Sequence, residues 1–426
     1  MSTIFAPSSG LPPAAIAVIR ISGPDAVAAA TALAGELPVP REAKLRTLRD
    51  PASGDHLDRA LVLVFPGPKT ATGEDLVEFH VHGGRAVVAA VEAALATQPG
   101  LRRAEPGEFT RRALANGRID LAEAEGLGDL LSAETELQRR AALAMADGTL
   151  SRRIATWRAA LLHLTARLEA SLDFADEADV DPVLLAEIRR AGELVAKEIS
   201  GELAIPTVDR LRDGIRVVLA GPPNSGKSTL LNALVRREAA IVSPIPGTTR
   251  DRIEVAVARD GIPFLLTDTA GLRDHAGDAI EAIGIDRAGQ AIAGADLVLW
   301  LGDDPPPGSA MLWLHTRSDQ DGRAARPVGT LLAVSAATGA GVEDVWELLV
   351  NRATTLIPAP GDVALNQRQA GHCREAADAL TDLGAEDELI VADALRRANV
   401  ALARITGDVG VEPMLDALFA RFCIGK

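Results

Sequence analysis

The rhythm of apolar and polar positions changes three times along the chain. Up to residue 115, short β-like apolar runs such as Ala14 to Ile21 and Leu61 to Phe65 alternate with Gly/Pro punctuation, and the Ala-rich stretch Arg85 to Ala96 predicts a helix. From residue 116 to 212 the pattern is helical, with long Ala/Leu/Glu/Arg segments and little Pro, including Leu121 to Met145 and Ser151 to Leu172. At Gly214 the texture shifts again. Ile215 to Ala220 is a continuous apolar run, the pattern of a strand buried on both faces of a parallel sheet. Further buried strands are predicted at Phe264 to Leu266, Leu297 to Leu301, Met311 to His315 and Leu331 to Val334. A last helix, Glu343 to Leu356, runs into the linker Ile357-Pro358-Ala359-Pro360-Gly361, and residues 362–426 return to Ala/Leu/Arg helices. The order predicts a multidomain α/β protein: an N-terminal α+β domain at 1–115, a discontinuous α-helical domain at 116–212 and 362–426, and a doubly wound α/β domain at 213–361 inserted into it.

Composition narrows the function. Of 426 residues, 47% are hydrophobic and 24% charged, enough apolar material for packed cores, while aromatics are only 3% and Tyr is absent, so those cores rest on Ala, Leu, Val and Ile. The net charge of -15 disfavours a protein that coats nucleic acid by bulk attraction but leaves room for local basic spots. Cys373 and Cys423 form no disulfide framework, which fits a reducing compartment, and the expected location is the cytoplasm. The N-terminus lacks a signal-peptide pattern, and no run approaches the about 20 apolar residues that span a bilayer, so no membrane is expected.

Candidate chemistry starts at Gly221-Pro-Pro-Asn-Ser-Gly226-Lys227-Ser228, a GxxxxGK[ST] motif between a buried strand and the helix-like segment Thr229 to Val235. Such a P-loop converges backbone N–H groups on phosphate oxygens, Lys227 supplies a full charge, and Ser228 offers a magnesium ligand. Downstream lie Pro246-Gly-Thr-Thr-Arg-Asp251 and Asp268-Thr-Ala-Gly271. Thr249 and Asp268 are the magnesium-side candidates, and the Gly271 N–H a γ-phosphate donor. The order fits an inserted P-loop, Ras-like α/β GTPase domain.

Two departures stand out. Leu272 follows DxxG where small GTPases carry a water-orienting Gln, so another base is required; Glu281 is one of several acids nearby, and a solvated surface Glu is the plainer reading of it. The base-reading segment is Thr316-Arg317-Ser318-Asp319 in place of NKxD. Asp319 still accepts from the two N–H donors that guanine has and adenine lacks, with Ser335-Ala336 offering a backbone N–H to the base oxygen.

With these motifs in place, the whole chain resembles the MnmE (TrmE) family of tRNA-modification GTPases. The resemblance extends to Ala17-Val-Ile-Arg20-Ile-Ser-Gly23, Thr72-Gly-Glu-Asp-Leu-Val-Glu78, His82-Gly-Gly84, Pro106-Gly-Glu-Phe-Thr110, Asp120-Leu-Ala-Glu-Ala-Glu125 and the terminal Phe422-Cys-Ile-Gly-Lys426. It implies an N-terminal folate-binding domain that forms a homodimer. It also implies transfer of an aminomethyl or carboxymethylaminomethyl group to carbon five of the tRNA wobble uridine, with an FAD-dependent MnmG-type partner in a heterotetramer and a tetrahydrofolate derivative (5-formyl- or 5,10-methylene-) as one-carbon source. Folate contacts then fall on Arg20, Glu78, Arg118 and Lys426, with Arg118 where Lys is usual. Potassium ligands fall on Asn224, Ser243, Ile245 and Thr248, magnesium ligands on Ser228 and Thr249, and the catalytic acid on Glu281. The implied GTP set is Asn224, Ser225, Gly226, Lys227, Ser228 and Thr229; Ser243, Pro244, Ile245, Pro246, Gly247, Thr248 and Thr249; Asp268, Thr269, Ala270 and Gly271; Asp319; and Ser335, Ala336 and Ala337.

Cys423, three positions before Lys426, is a second catalytic candidate whose thiolate that cation would favour; the bland alternative is a small buried hydrophobe. Cys373 is expected to be structural. His80-Val-His82 shares a strand face, a spacing metals can use, but a structural or folate-pocket role fits better. Two rival readings remain: a GTPase switch in ribosome assembly, and a folate aminomethyltransferase with a degenerate GTPase domain.

Overall fold

Alternation in the N-terminal runs builds a six-stranded sheet from β1 (Thr3–Pro7), β2 (Ile16–Ser22), β3 (Lys44–Arg49), β4 (His56–Phe65), β5 (Leu76–His82) and β6 (Leu101–Arg103). Its order is β3-β4-β5-β2-β1-β6, antiparallel except for the β1–β6 pair. Ala17, Ile19 and Ile21 on β2 and Val77, Phe79 and Val81 on β5 are buried in one core with residues of helices α1 (Ala26–Ala34) and α2 (Arg85–Ala96). The intervening Arg20, Glu78 and His80 therefore share the opposite face of the sheet. Helices α3 (Glu108–Ala115) and α4 (Leu121–Ser132) follow.

The computed structural model describes residues 2–173, 182–236, 239–240, 254–269, 289–323, 325–409, 415, 418–419, 422 and 424–425. Contacts divide the chain into two units: Met1–Gly128, Met145–His163 and Asn399–Lys426, and Asp129–Ala144 with Leu164–Ala398. The six-stranded sheet belongs to the first.

The second sheet consists of β7 (Ile215–Ala220), β8 (Ala239–Ala240), β9 (Glu254–Arg259), β10 (Ile262–Asp268), β11 (Leu297–Trp300), β12 (Leu312–Thr316) and β13 (Leu332–Val334), in the order β13-β12-β11-β7-β10-β9-β8. From β13 to β10 every pair is parallel; β9 and β8 are antiparallel additions at one edge. The chain passes from β7 to β10 on one side and to β11 on the other, so the carboxyl end of β7 lies at the topological switch point where open α/β sheets take ligands. Ile215, Val217 and Leu219 pack with Leu230 and Leu234 of helix α9 (Lys227–Val235) and with Trp346 of α10 (Val342–Ala353). Trp346 is fully buried and meets the Phe264 ring edge-on at 5.3 Å.

The other α-helices among the described residues include α5 (Glu136–Ala146), α6 (Thr149–Asp173), α7 (Pro182–Leu203), α8 (Asp209–Asp213), α11 (Gln367–Leu380) and α12 (Glu388–Thr406), where α10 above precedes α11 in the chain. Helix α7 packs on α11 across the α/β segment that separates them in sequence. Cys373 on α11 is fully buried, and burial pushes its thiol up to about 12, as a structural cysteine requires.

Several expectations needed adjustment. The stretch Leu121 to Met145 is two helices, because Thr135 starts α5 afresh: its hydroxyl accepts from the Gln138 N–H (3.3 Å) while Gln138 Oε1 accepts from the Thr135 N–H (2.9 Å). Strand β9 is absent from the sequence-based strands, although Asp260-Gly261, both at positive φ (51° and 78°), make the tight turn that joins it to β10. The helix after the phosphate loop begins at Lys227 rather than Thr229, and α10 ends at Ala353 rather than Leu356.

Candidate functional site

The phosphate loop follows β7 directly. Gly221 and Gly226 adopt φ of 148° and 95°, and Asn224 sits at 59°, so the loop coils tightly before α9 begins. A β-carbon at Gly221 would stand 3.1 Å from Ser225 Oγ and 3.3 Å from the backbone of Leu301 and Gly302, a tight fit that adds to the positive φ in favouring Gly. Lys227 is buried, and its ammonium donates to the carbonyls of Gly221 (3.0 Å) and Pro222 (2.8 Å), folding back over the loop. The Ser225 hydroxyl is buried and holds no hydrogen bond. An orphaned hydroxyl, a buried ammonium resting on carbonyls and a helix N-terminus together make a cradle suited to phosphate oxygens.

Asp268 ends β10, which pairs in parallel with β7, so Asp268 stands beside Leu219. The Ser228 hydroxyl donates to its carboxylate. Two oxygens from separate segments thus meet, a donor set that fits a hard divalent cation. Thr269 is buried with its hydroxyl on the Leu219 carbonyl (2.8 Å), which fixes the chain just after Asp268. Among the described residues no group of three or more His, Cys, Asp or Glu is spaced to hold a metal by itself.

The base-reading segment is tied to this loop. Buried Thr316 donates to the Ser225 carbonyl at 2.9 Å, so the residue in place of the usual Asn still links the two loops. Arg317 takes a left-handed conformation, and its side chain would be 3.9 Å from a β-carbon at Gly226. Its guanidinium lies 3.6 Å from Asp303, which also pairs with Arg323. The Arg323 guanidinium beside it holds the Asp303 carboxyl below the usual carboxylate range. Asp319 is exposed. The Ser335 hydroxyl accepts from the Thr338 N–H at 3.1 Å, shaping the loop that carries Ala336 and Ala337. Those two alanines face Ser228 and Thr229 across a groove of about 410 Å³. Asp303 and Arg323 were not legible in advance: neither belongs to a motif, and only folding brings them to Arg317.

In the first unit, Arg20 and Glu78 are cross-strand neighbours on β2 and β5. Arg20 donates twice to one Glu78 oxygen (3.0 and 2.9 Å), while His80 reaches the other at 3.3 Å. The Phe109 ring lies 5.7 Å from the Arg20 guanidinium. Arg118 donates to the Thr70 carbonyl at 3.2 Å, and its stem crosses Gly73. Arg20 and Glu78 thus form one half-buried pair rather than two independent contacts. His80, for which a structural or folate-pocket role was expected, is their companion on this face, two residues from Glu78 on the same strand.

A second ionic cluster lies behind motifs read above only as marks of resemblance. Buried Arg112 of α3 binds Glu74 (2.9 Å), Glu108 (3.0 Å) and the Ser2 carbonyl (2.8 Å). Arg102 makes a fork on Glu108, and Ser22 donates to Glu74 at 2.9 Å. Burial alone would raise the Glu108 carboxyl, but Arg102, the Glu105 N–H and Arg112 outweigh it and hold it below its ordinary range. On β5, the His82 imidazole meets Asp58 at 2.7 Å.

Near the C-terminus, Ile424 bridges to Pro106, and the Gly425 carbonyl accepts from the Ser8 hydroxyl at 2.8 Å. A β-carbon at Gly425 would collide with the Pro7 carbonyl, so only Gly fits there. Ser243, Pro244, Ile245, Pro246, Gly247, Thr248, Thr249, Ala270, Gly271, Glu281, Cys423 and Lys426 lie outside the described residues. Among the described residues no helix is long and apolar enough to cross a membrane.

Comparison with known proteins covers the whole chain. Residues 3–118 match the family described as GTP-binding protein TrmE N-terminus, and residues 121–423 match the MnmE helical domain. The tRNA modification GTPase MnmE of Novosphingobium aromaticivorans is 56% identical over 435 residues, covering 100% of this chain and 99% of that protein. That of Erythrobacter litoralis is 56% identical over 427 residues, with 100% of both covered. The protein of the same description from Zymomonas mobilis subsp. mobilis is 51% identical over 438 residues, again with 100% of both covered.

Proposed function

The chain belongs to the MnmE family of tRNA modification GTPases, and on that premise we propose that it hydrolyses GTP in a potassium-dependent manner to drive modification of carbon five of the tRNA wobble uridine. The observation that carries the reading is the meeting of Lys227, Ser228 and Asp268 at the carboxyl end of β7, joined to the base-reading segment through Thr316. The loop amides and Lys227 grip the β- and γ-phosphates. Ser228, Thr249 and Asp268 would hold magnesium, and Asn224, Ser243, Ile245 and Thr248 potassium; both ions, when bound, supply positive charge opposite the oxygens that gain charge as the phosphoryl group leaves. Leu272 has no group to orient water, so Glu281 takes that task. Asp319 accepts from the guanine N–H donors, and the Ser335 to Ala337 loop meets the base oxygen.

The folate carrier, a tetrahydrofolate derivative, would be held by Arg20, Glu78, Arg118 and Lys426 in the N-terminal domain and supply the one-carbon unit. Arg20 and Arg118 suit its glutamate carboxylates, and Glu78 suits the N–H edge of its pterin. Release of Glu78 from Arg20 would accompany binding, since the two now satisfy each other. Cys423, close to Lys426 in sequence, serves as nucleophile or proton carrier for the one-carbon transfer. The protein would act in the cytoplasm as a homodimer with an FAD-dependent MnmG-type partner, its domains being 1–115, 116–212 with 362–426, and 213–361.

The decisive experiment is analysis of wobble uridines in cells lacking the gene, paired with GTP turnover of the purified protein in potassium and in sodium. Loss of the carbon-five modification and turnover that needs potassium are expected. Unaltered uridines would remove the modification role, and equal turnover in both salts would remove the potassium site.

A further inference from the structure

Thr316 to Asp319 departs from NKxD at two positions, and an acid outside the motif gathers the cations around it. We propose that Asp303, acting through Arg317 and Arg323, positions Asp319 and so sets the discrimination between guanine and hypoxanthine nucleotides. The inference rests on reading this end of the sheet as a guanine-nucleotide site.

Asp303 lies in the loop after β11, and its carboxylate takes the guanidinium of Arg323 on one oxygen and that of Arg317, at 3.6 Å, on the other. These two arginines bracket Asp319 in sequence. Between them run two successive turns, with the Gln320 N–H on the Arg317 carbonyl and the Arg323 N–H on the Gln320 carbonyl, each 3.1 Å. Arg323 closes the arrangement: its Nε donates to the Thr316 carbonyl at 3.0 Å, and its own carbonyl meets His315 Nε2 at 2.8 Å. Both ends of the segment that carries Asp319 are therefore drawn to one carboxylate.

The pull matters because Arg317 stands at φ 56°, a backbone conformation that a residue with a β-carbon adopts only when its surroundings hold it there. Its Nε is buried and holds no hydrogen bond, beside a phosphate loop whose Ser225 hydroxyl is likewise unsatisfied. Two orphaned groups in one corner point to a ligand that completes them. The side chain of Asp303 is largely exposed, so its ion pairs add little to stability. Its effect is on placement: a carboxylate that grips two N–H donors of the base loses both when it turns away, because hydrogen bonds weaken steeply with misalignment. Asp303 is a positioning residue, reaching the base only through the arginines.

The test compares GDP with IDP, whose base lacks the exocyclic amine, in calorimetric titrations of the full chain. Asp303→Asn is expected to weaken GDP about 10-fold and IDP only about 3-fold, because GDP loses two bonds to the carboxylate and IDP, without the exocyclic amine, only one. Asp303→Glu should restore most of the preference, and Arg323→Gln should lower it as Asp303→Asn does. Asp393→Asn, which removes an exposed pair with Arg397 on α12, should change neither affinity. Melting without nucleotide separates misfolding from misplacement, and Arg323→Gln provides a second reading if Asp303→Asn fails to fold. Equal losses for the two nucleotides, or no loss for either, would overturn the role of Asp303. A wild-type chain that binds neither would instead overturn the nucleotide site itself.

Discussion

The two sheets of this protein reach their chemistry by opposite means. At the end of β7 the candidate phosphate-binding groups belong largely to one strand-to-helix turn, with Lys227 and Ser228 adjoining it in sequence. On the N-terminal sheet the polar groups are side chains gathered from far apart: Arg20 and Glu78 are separated by 58 positions, Arg112 and Glu74 by 38. A site made by one turn is written in a few consecutive letters. A site made by pairing strands depends on register, which no local pattern records.

The largest expected effect tests whether the N-terminal cluster supports the fold rather than a ligand. Arg112→Ala leaves Glu74 and Glu108 facing each other without their shared cation, and both carboxylates are nearly buried. Breaking a buried pair from one side costs about 3–5 kcal/mol. Denaturant unfolding should show that loss while GDP affinity stays as in the wild type, since the nucleotide loops belong to the other unit. An equal fall in GDP affinity would dissolve the comparison.

Lys227→Ala probes the opposite pole. The ammonium now rests on two loop carbonyls, so its removal takes a donor from each and strips the phosphates of their nearest charge. GTP affinity should fall about 100-fold or more, near 2.7 kcal/mol, with folate binding untouched. Calorimetry with each ligand separates the two effects, and a variant that still binds GTP tightly would show that the amides suffice.

What the sequence made legible follows the same division. Ile215 to Ala220 and Arg85 to Ala96 appear with the limits the apolar pattern suggests, because a fully buried strand and an Ala-rich helix are each declared by their own residues. Asp268 and Ser228 could be named in advance from spacing within a motif. The break between α4 and α5 was missed although Thr135-Glu-Leu-Gln138 has the spacing of a reciprocal cap; with no Gly or Pro to mark it, the helical period ran on through it. Strand β9 was missed because its half-buried residues, next to the two-residue edge strand β8, give a weak alternation, and Asp260-Gly261 was the available signal. Arg112, Asp303 and Arg323 were illegible in a stronger sense, since each is an ordinary surface-type residue until tertiary contacts assign its partner.

A smaller effect sharpens the contrast within the first unit. Because Arg20 and Glu78 pair with each other, removing Arg20 leaves Glu78 with His80 alone, and removing Glu78 leaves the half-buried Arg20 without a carboxylate. Arg20→Gln and Glu78→Gln should each weaken 5-formyl-tetrahydrofolate binding, and the double variant should lose less than the sum by about 1 kcal/mol. Additive losses would mean the two act as separate contacts, as the sequence alone suggests.

The smallest expected effect is one of slope. Asp120 and Glu123 open α4 as a reciprocal cap: the Asp120 N–H donates to Glu123 Oε2 and the Glu123 N–H to Asp120 Oδ1, both at 2.8 Å. Burial raises both carboxyls above their ordinary values, and for Glu123 the neighbouring Asp120 charge adds to the rise while Arg152 opposes it. Gly148 leaves room for this carboxylate, since a β-carbon there would stand 2.4 Å from Glu123 Oε1. A raised folded value means that the native state binds the proton more tightly than the unfolded chain. The resulting stability is complete below the unfolded value of 4.5 and is lost as pH rises through the folded one. Glu108, held low, has the opposite sign: its stability is present above its unfolded value and lost as pH falls. Glu123→Gln keeps an acceptor for the Asp120 amide while removing the charge. Its stability relative to the wild type should therefore climb as pH rises from about 4 to about 7, because the wild type alone loses the proton across that window. Denaturant midpoints measured across that range give the slope directly, and a constant offset between the two proteins would mean that solvent, not burial, sets the Glu123 carboxyl.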